Sequence, residues 1–232
     1  MKLIRSLPPL SGGLITKLES ILLEKFDYPS IPDDYKQFLL KNNGGYVVPG
    51  YVEDVDGNNH TEEIVFDTPL KWRKINDAPV KPSLVFFFGV WLPNDMDIDQ
   101  VEDENLGDLI ASNQHSKYDF DVLPDRMMSI AKCSHPDAAD MLCISLAGYD
   151  YGAVYFYYDM WYYPAKWLGS YYDDKEEAIL QKYNIGERGE IDDSTPEGKR
   201  IMEELYRVPF VKVADSFSEF LAKCRVEKVT VY

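Results

Sequence analysis

The sequence predicts an α+β fold in which helices pack on a mainly antiparallel sheet, and two observations carry that expectation. The first is a central stretch, Met127 to Asp159, holding three short apolar runs at 127–131, 141–146 and 153–158. Cys133-Ser134-His135-Pro136-Asp137 lies between the first two, and Ala147-Gly148-Tyr149-Asp150-Tyr151-Gly152 between the last two. Runs of this length, rich in Ile, Val, Phe and Tyr and bounded by Gly, Pro and Asp, form strands joined by tight connections. In the third run Val154, Phe156 and Tyr158 share one face, with Ala153, Tyr155 and Tyr157 on the other. The expectation is an antiparallel meander at the centre of a sheet. The second observation is a set of segments, near both ends of the chain, with apolar residues at helical spacing behind capping residues.

Taken in order, residues 11–26 predict an amphipathic helix, with Leu14, Ile15, Leu18, Ile21 and Leu22 on one stripe and Ser11 as N-cap. A second helix is expected over 32–42. Pro32 suits its first position, Asp33 and Asp34 complement the positive end of the helix dipole, and Tyr35, Phe38 and Leu39 form the buried stripe. Gly44 and Gly45 end it. Residues 46–55 and 62–66 form a hairpin across Asp56-Gly57-Asn58-Asn59, with Pro49 and Gly50 marking a bulge or an edge. Leu84-Val85-Phe86-Phe87-Phe88 is apolar on both faces and predicts an interior strand. Residues 94–105 form an acidic loop, and 106–111 a short helix that ends before Tyr118-Asp119-Phe120. Beyond the meander, 174–183 predicts a helix, and Ser194-Thr195-Pro196-Glu197 a helix start with Ser194 and Glu197 as a capping box. Ser216 and Glu219 repeat that pattern ahead of Phe217, Phe220 and Leu221. Residues 226–231 close the chain as a strand. With no internal repeat, low-complexity segment or linker, residues 1–232 are expected to form a single domain.

Composition excludes several function classes. Twenty-four basic and 40 acidic side chains give a net charge of −16. Nucleic-acid binding draws most of its affinity from a basic footprint, which this balance lacks, and anionic membranes are disfavoured for the same reason. A basic protein partner, in contrast, would be steered in by such a field. The 17 tyrosines suit a core edge or a contact surface, since each ring joins an apolar body to a polar tip. Three cysteines, Cys133, Cys143 and Cys224, are poor material for a disulfide framework. Pro8, Pro9, Gly12 and Gly13 interrupt any signal-peptide stretch, and the longest apolar run, 84–92, is far short of the ~20 residues that span a bilayer. A reduced, cytoplasmic protein is the expectation.

Several elements, in this order, resemble the SUKH superfamily of Smi/Knr-like proteins. They are Ile31-Pro32-Asp33-Asp34-Tyr35-Lys36-Gln37-Phe38-Leu39 with Asn42-Asn43-Gly44-Gly45; Leu123-Pro124 leading to Met128-Ser129-Ile130-Ala131; Gly152-Ala153-Val154-Tyr155-Phe156; and Val213-Ala214-Asp215-Ser216-Phe217-Ser218-Glu219-Phe220-Leu221. The chain is longer than a compact member, with insertions at about 50–80 and 160–205. The resemblance implies helices packed on a mainly antiparallel sheet and a non-catalytic role. In bacteria it implies an immunity protein that binds and neutralises a toxin, commonly a nuclease. In fungi it implies a regulatory interaction module that binds an endogenous protein.

The chemistry-bearing residues agree with a non-enzyme. Asp95, Asp97 and Asp99 open like a calcium loop, but Gln100 stands where the turn glycine belongs and Leu106 where the closing glutamate belongs. His115, Cys133, His135, Asp137 and Asp140 lack the paired spacing of zinc ligands. No phosphate-cradling glycine loop or nucleophile elbow is present, so no catalytic, metal or cofactor site is assigned. The expected partner-binding residues are the acidic loop, Asp95, Asp97, Asp99, Glu102, Asp103 and Glu104, and an aromatic segment. In the latter Trp161, Tyr162, Tyr163, Tyr171 and Tyr172 precede Asp173 and Asp174, aromatic anchors beside carboxylates that fit a basic protein toxin.

Overall fold

The computed structural model describes residues 3–4, 7–47, 51–53, 59–68, 82–90, 108–133, 140–157 and 171–230. Ten strands form one curled, antiparallel sheet: β1 (Leu3–Ile4), β2 (Gly45–Val47), β3 (Tyr51–Glu53), β4 (Asn59–Val65), β5 (Ser83–Phe87), β6 (Met127–Cys133), β7 (Met141–Ser145), β8 (Val154–Tyr157), β9 (Phe210–Ala214) and β10 (Arg225–Thr230). Seven of them run in the order β1-β2-β5-β6-β7-β8-β9. Strand β4 branches from β5 and carries β3 and β10 on its flanks. The predicted meander is the centre, β6-β7-β8, with Leu142 opposite Phe156 and Cys143 opposite Tyr155. The run 46–55 divides into β2, which pairs β5, and β3, which pairs β4 as the expected hairpin.

Alternation along the strands sorts the side chains into two layers. One face carries Met128, Ile130, Leu142, Ile144, Val154 and Phe156 into the main core. Against it pack helix α1 (Gly12–Phe26), through Ile15, Leu18, Ile21, Leu22 and Phe26, and helix α2 (Asp33–Lys41), through Tyr35, Phe38 and Leu39. Helix α3 (Leu109–Gln114) adds Leu109 and Ile110, and helix α6 (Phe217–Lys223) adds Phe217 and Phe220. Tyr35, Phe38, Phe87 and Phe217 interlock with ring centroids 4.7–5.9 Å apart, and burying each such ring stabilises the fold by about 2 kcal/mol. The opposite face holds a smaller cluster, Leu123, Met127, Met141, Cys143, Tyr157 and Phe210. Among the described residues the chain also forms helices α4 (Tyr171–Lys182) and α5 (Pro196–Tyr206).

Two buried asparagines join helices to the sheet by imitating a peptide group. The Asn113 side-chain nitrogen, at the end of α3, donates to the carbonyls of Leu109 and Ser129, both at 2.8 Å, while its oxygen accepts the Ser129 N–H at 2.9 Å. It grips β6 where the pairing with β7 shifts register between Ser129 and Ala131. Asn43, after α2, treats Val90 likewise, accepting its N–H at 2.7 Å and donating to its carbonyl at 3.1 Å and to that of Pro8 at 2.8 Å. Its φ of 44° and that of Gly44, 72°, turn the chain back toward the sheet. A Cβ on Gly44 would lie 2.4 Å from the Gly89 nitrogen, so that position requires glycine for space as well as conformation.

Several boundaries differ from the sequence expectation. Pro32 is the N-cap of α2, its ψ of 143° placing it outside the helix. Helix α3 starts at Leu109 because the Asp108 carboxylate caps the Ile110 and Ala111 N–H groups. It then continues through Tyr118 as a π-helical turn, His115–Asp119, instead of ending earlier. Thr195, not Ser194, caps α5 by accepting from Gly198, while the Ser194 hydroxyl turns back to Asp192. Strand β5 is interior as expected, but Val85, at the register shift with β6, is half-exposed while Ser83, Leu84 and Phe87 are buried. Cys133 and Cys143 are buried, and Cys224 is half-buried against the core.

Candidate partner interface

Of the expected contact residues, Asp95, Asp97, Asp99, Glu102, Asp103, Glu104, Trp161, Tyr162 and Tyr163 lie outside the described residues. Tyr171, Tyr172, Asp173 and Asp174 form the first turn of α4, where carboxylates meet the positive end of the helix dipole. Tyr172 is half-buried against the main core, while Asp173 and Asp174 are exposed.

Residues 171–204 carry eleven acidic and five basic side chains. Helices α4 and α5 are tied together at Glu204, which accepts from Lys182 at 2.8 Å and from the Tyr183 hydroxyl at 2.5 Å, with Arg200 at 3.7 Å. Partial burial disfavours its charge, but these donors outweigh that and hold the carboxyl below the usual range. Hydrogen bonds from the Ser194 hydroxyl and N–H hold Asp192 low as well. Asp173, Glu177, Glu187, Asp193 and Glu197 stand exposed around this pair of helices. The result is an acidic arm.

A charged clamp fastens the far end of α5 to the sheet. The Asp150 carboxylate, in the β7–β8 turn, accepts from Ser145 Oγ and Tyr155 Oη, both at 2.5 Å. Arg207 follows α5 and places Nη1 3.6 Å from Asp150 Oδ2, an ion pair rather than a hydrogen bond, with Glu203 equally near Nη2. Its Nη2 also donates to the Asp125 carbonyl at 3.4 Å. The guanidinium lies 5.5 Å from the centre of the Tyr149 ring, and Arg188 lies 5.2 Å from that of Tyr206. Burial, followed by the hydrogen bond to Asp150, raises the Tyr155 pKa, so the hydroxyl stays protonated and keeps donating.

The clamp presents three tyrosines to solvent: Tyr149 is 77% exposed, Tyr206 45% and Tyr151 44%. Tyr151 is steadied by the Ser30 hydroxyl at 3.0 Å. None of the three was among the expected contact residues. Their signal was present in Gly148-Tyr149-Asp150-Tyr151-Gly152, where two rings project from a glycine-bounded turn too short to bury them. Chemically this surface offers aromatic anchors beside fixed carboxylates. Among the described residues no group of His, Cys, Asp and Glu is placed to hold a metal ion.

A family model, the SMI1 / KNR4 family (SUKH-1), matches residues 15–223. The chain belongs to that family. No curated protein and no solved structure matches it. SUKH-1 membership points to immunity and protein interaction in general terms. Among the described residues of this SUKH-1 chain, no helix is long and apolar enough to cross a membrane.

Proposed function

We propose that this chain is a cytoplasmic immunity protein that neutralises a basic, nuclease-type toxin by covering it through protein–protein contact. One observation carries the reading: three exposed tyrosines beside the acidic arm, Tyr149 on the guanidinium of the Arg207–Asp150 pair, Tyr151 on the Ser30 hydroxyl and Tyr206 on Arg188. The negative field would draw a basic partner in, and the rings would then be buried at the centre of the contact. Because the rings are already positioned, little side-chain entropy is lost on binding. The role needs no catalytic group. Residues 1–232 would act as a single unit.

The test is capture of the partner by the tagged full chain across a salt series, followed by an assay of whether co-expression suppresses that partner's toxicity. Tyr149→Ala should weaken binding roughly 30-fold if the ring is a hot spot, worth about 2 kcal/mol. Joint neutralisation of Asp173, Glu177, Asp193 and Glu197 should slow association and flatten the salt dependence. Affinity indifferent to salt and to both variants would dismiss the reading. An endogenous, non-toxic partner on the same face would make the chain a regulatory or scaffold module instead.

A further inference from the structure

A second aromatic surface lies on the π-helical turn after α3. Tyr118 is 58% exposed and Phe120 60%, although a free fold would gain by turning such rings inward. Both are held in place. The Tyr118 ring stacks on Phe26 at 5.9 Å, and its hydroxyl donates to the Lys25 carbonyl at 2.5 Å. The Phe120 ring meets His115 edge-on at 4.3 Å, and His115 Nδ1 lies 2.6 Å from Asp119 Oδ2. Backbone bonds from Phe120 N–H to the His115 carbonyl and from Val122 N–H to that of Ser116 close the turn. At its base, Asn113 anchors the segment to β6.

Charge says what such a surface would meet. Glu24, Asp27, Asp119, Asp121 and Asp125 are exposed around it. Of the nearby cations, Lys117 is engaged, with Nζ 2.9 Å from Asp125 and 5.7 Å from the centre of the Tyr28 ring. Arg126 is exposed and Lys25 half-buried. The rim is therefore acidic, on a chain of net charge −16. A second copy of this chain would bring carboxylates against carboxylates, which disfavours self-association. Asp125 also connects this surface with the clamp, since its carboxylate meets Lys117 and its carbonyl accepts from Arg207.

We propose that Tyr118 and Phe120 form an aromatic knuckle that docks into an arginine- or lysine-lined groove of the protein partner. The carboxylates of Asp119, Asp121 and Asp125 pair with cations at the groove's rim, and partner guanidinium groups stack on the two rings. This rests on the reading that the chain works by protein contact, and extends that contact past Asp125 to a face the acidic arm does not include.

The probe is a capped hexa-arginine peptide titrated into the isotope-labelled full chain and followed by NMR, with hexa-glutamate as control. The expected result is shift changes concentrated at residues 115–125, with affinity falling roughly tenfold in Phe120→Ala. That side chain is 60% exposed, so the fold should persist, and a native spectrum of the free variant checks this. Tyr118→Phe, which keeps the ring, should bind like the parent. Shifts spread evenly over the acidic surface, confined to the α4–α5 arm, or absent would overturn the proposal. So would equal affinity in Phe120→Ala. A shift pattern confined to the arm would leave the immunity reading standing, whereas loss of toxin suppression alone would end that reading and leave the knuckle. Sedimentation that showed a dimer abolished by Phe120→Ala would overturn the choice of occupant.

Discussion

Asn113 is the side chain on which the attachment of α3 to the sheet most depends, and its replacement makes a quantitative test. In Asn113→Ala the Ser129 N–H and carbonyl both lose their side-chain partner within a fully buried site. Stranding a buried polar group costs about 1–3 kcal/mol, so two of them cost about 2–6 kcal/mol. Alanine returns about 0.5 kcal/mol through its better helix propensity, leaving an expected loss of roughly 2–5 kcal/mol. Urea unfolding followed by far-UV circular dichroism would measure this as a lower midpoint with an unchanged slope. Asn113→Asp sharpens the test. Its acceptor still suits the Ser129 N–H, but a carboxylate would face the two carbonyls that the amide now serves, so the folded state favours the protonated acid. The folded pKa is then raised above the unfolded value of about 4. Stability is greatest below that unfolded value and falls as pH rises from it toward the folded pKa, by up to about 1.4 kcal/mol per pH unit. The asparagine parent has no such group at this position. A loss under about 1 kcal/mol in Asn113→Ala, or an Asn113→Asp variant whose stability tracks the parent's from pH 5 to 8, would refute the peptide-mimic argument.

Other positions give tests of the same kind. The Tyr35 hydroxyl is buried with no hydrogen-bond partner among the described residues, so Tyr35→Phe should be neutral or stabilising by about 1 kcal/mol in urea unfolding; a clear loss would mean that the hydroxyl is satisfied. A Cβ on Gly198 would lie 1.9 Å from the Asp192 carbonyl oxygen, so Gly198→Ala should force the turn before α5 apart and lower the melting temperature, at a cost of about 1–3 kcal/mol. Arg207→Met leaves the nearly buried Asp150 carboxylate with its two hydroxyl donors but without its cation and should cost about 1–3 kcal/mol, part of which Asp150→Asn restores in the double variant; strict additivity would show that the two do not interact. Burial pushes the Cys224 thiol up to about 12, so iodoacetamide at pH 8 should label it far more slowly in the native chain than in urea, as mass spectrometry of the labelled peptide would show.

The fold was legible wherever the determinants are local. Alternation alone separated Val154 and Phe156, which enter the main core, from Tyr155 and Tyr157, which join the opposite cluster. The Ser216 cap was equally plain, because its bond to the Glu219 N–H spans a single turn. Legibility failed where the deciding partner is distant in sequence. Nothing within 46–55 says that β2 goes to β5 and β3 to β4, since those pairings are made with other segments. The π turn hid Tyr118 and Phe120, because its wider turn shifts them out of the 3.6-residue register by which helical faces are recognised. For the interface, a ring that packs and a ring that protrudes have the same letter. Tyr157 is buried and Tyr149 is exposed because one lies within a paired strand and the other in the turn beyond it.

Asn43 and Gly44 have a consequence on the timescale of ageing. An asparagine followed by glycine is the dipeptide most prone to deamidation, in which the following backbone nitrogen attacks the side-chain carbonyl and the side-chain nitrogen leaves as ammonia, giving a succinimide. Here the amide is immobilised by Val90 and Pro8 and the backbone is fixed at a φ of 44°, so the native chain withholds the geometry that the reaction needs. An unfolded chain does not. Hydrolysis of the succinimide would leave an aspartate or isoaspartate that is ionised at neutral pH and has no hydrogens to give Val90 and Pro8, so a chain damaged while open would refold poorly. Succinimide formation is far slower than refolding, so the loss follows the equilibrium population of the open chain, and stability more than the rate of unfolding is the measure of how long the protein lasts. Peptide mapping after incubation in native buffer and in urea should find the lesion at Asn43 accumulating only in urea.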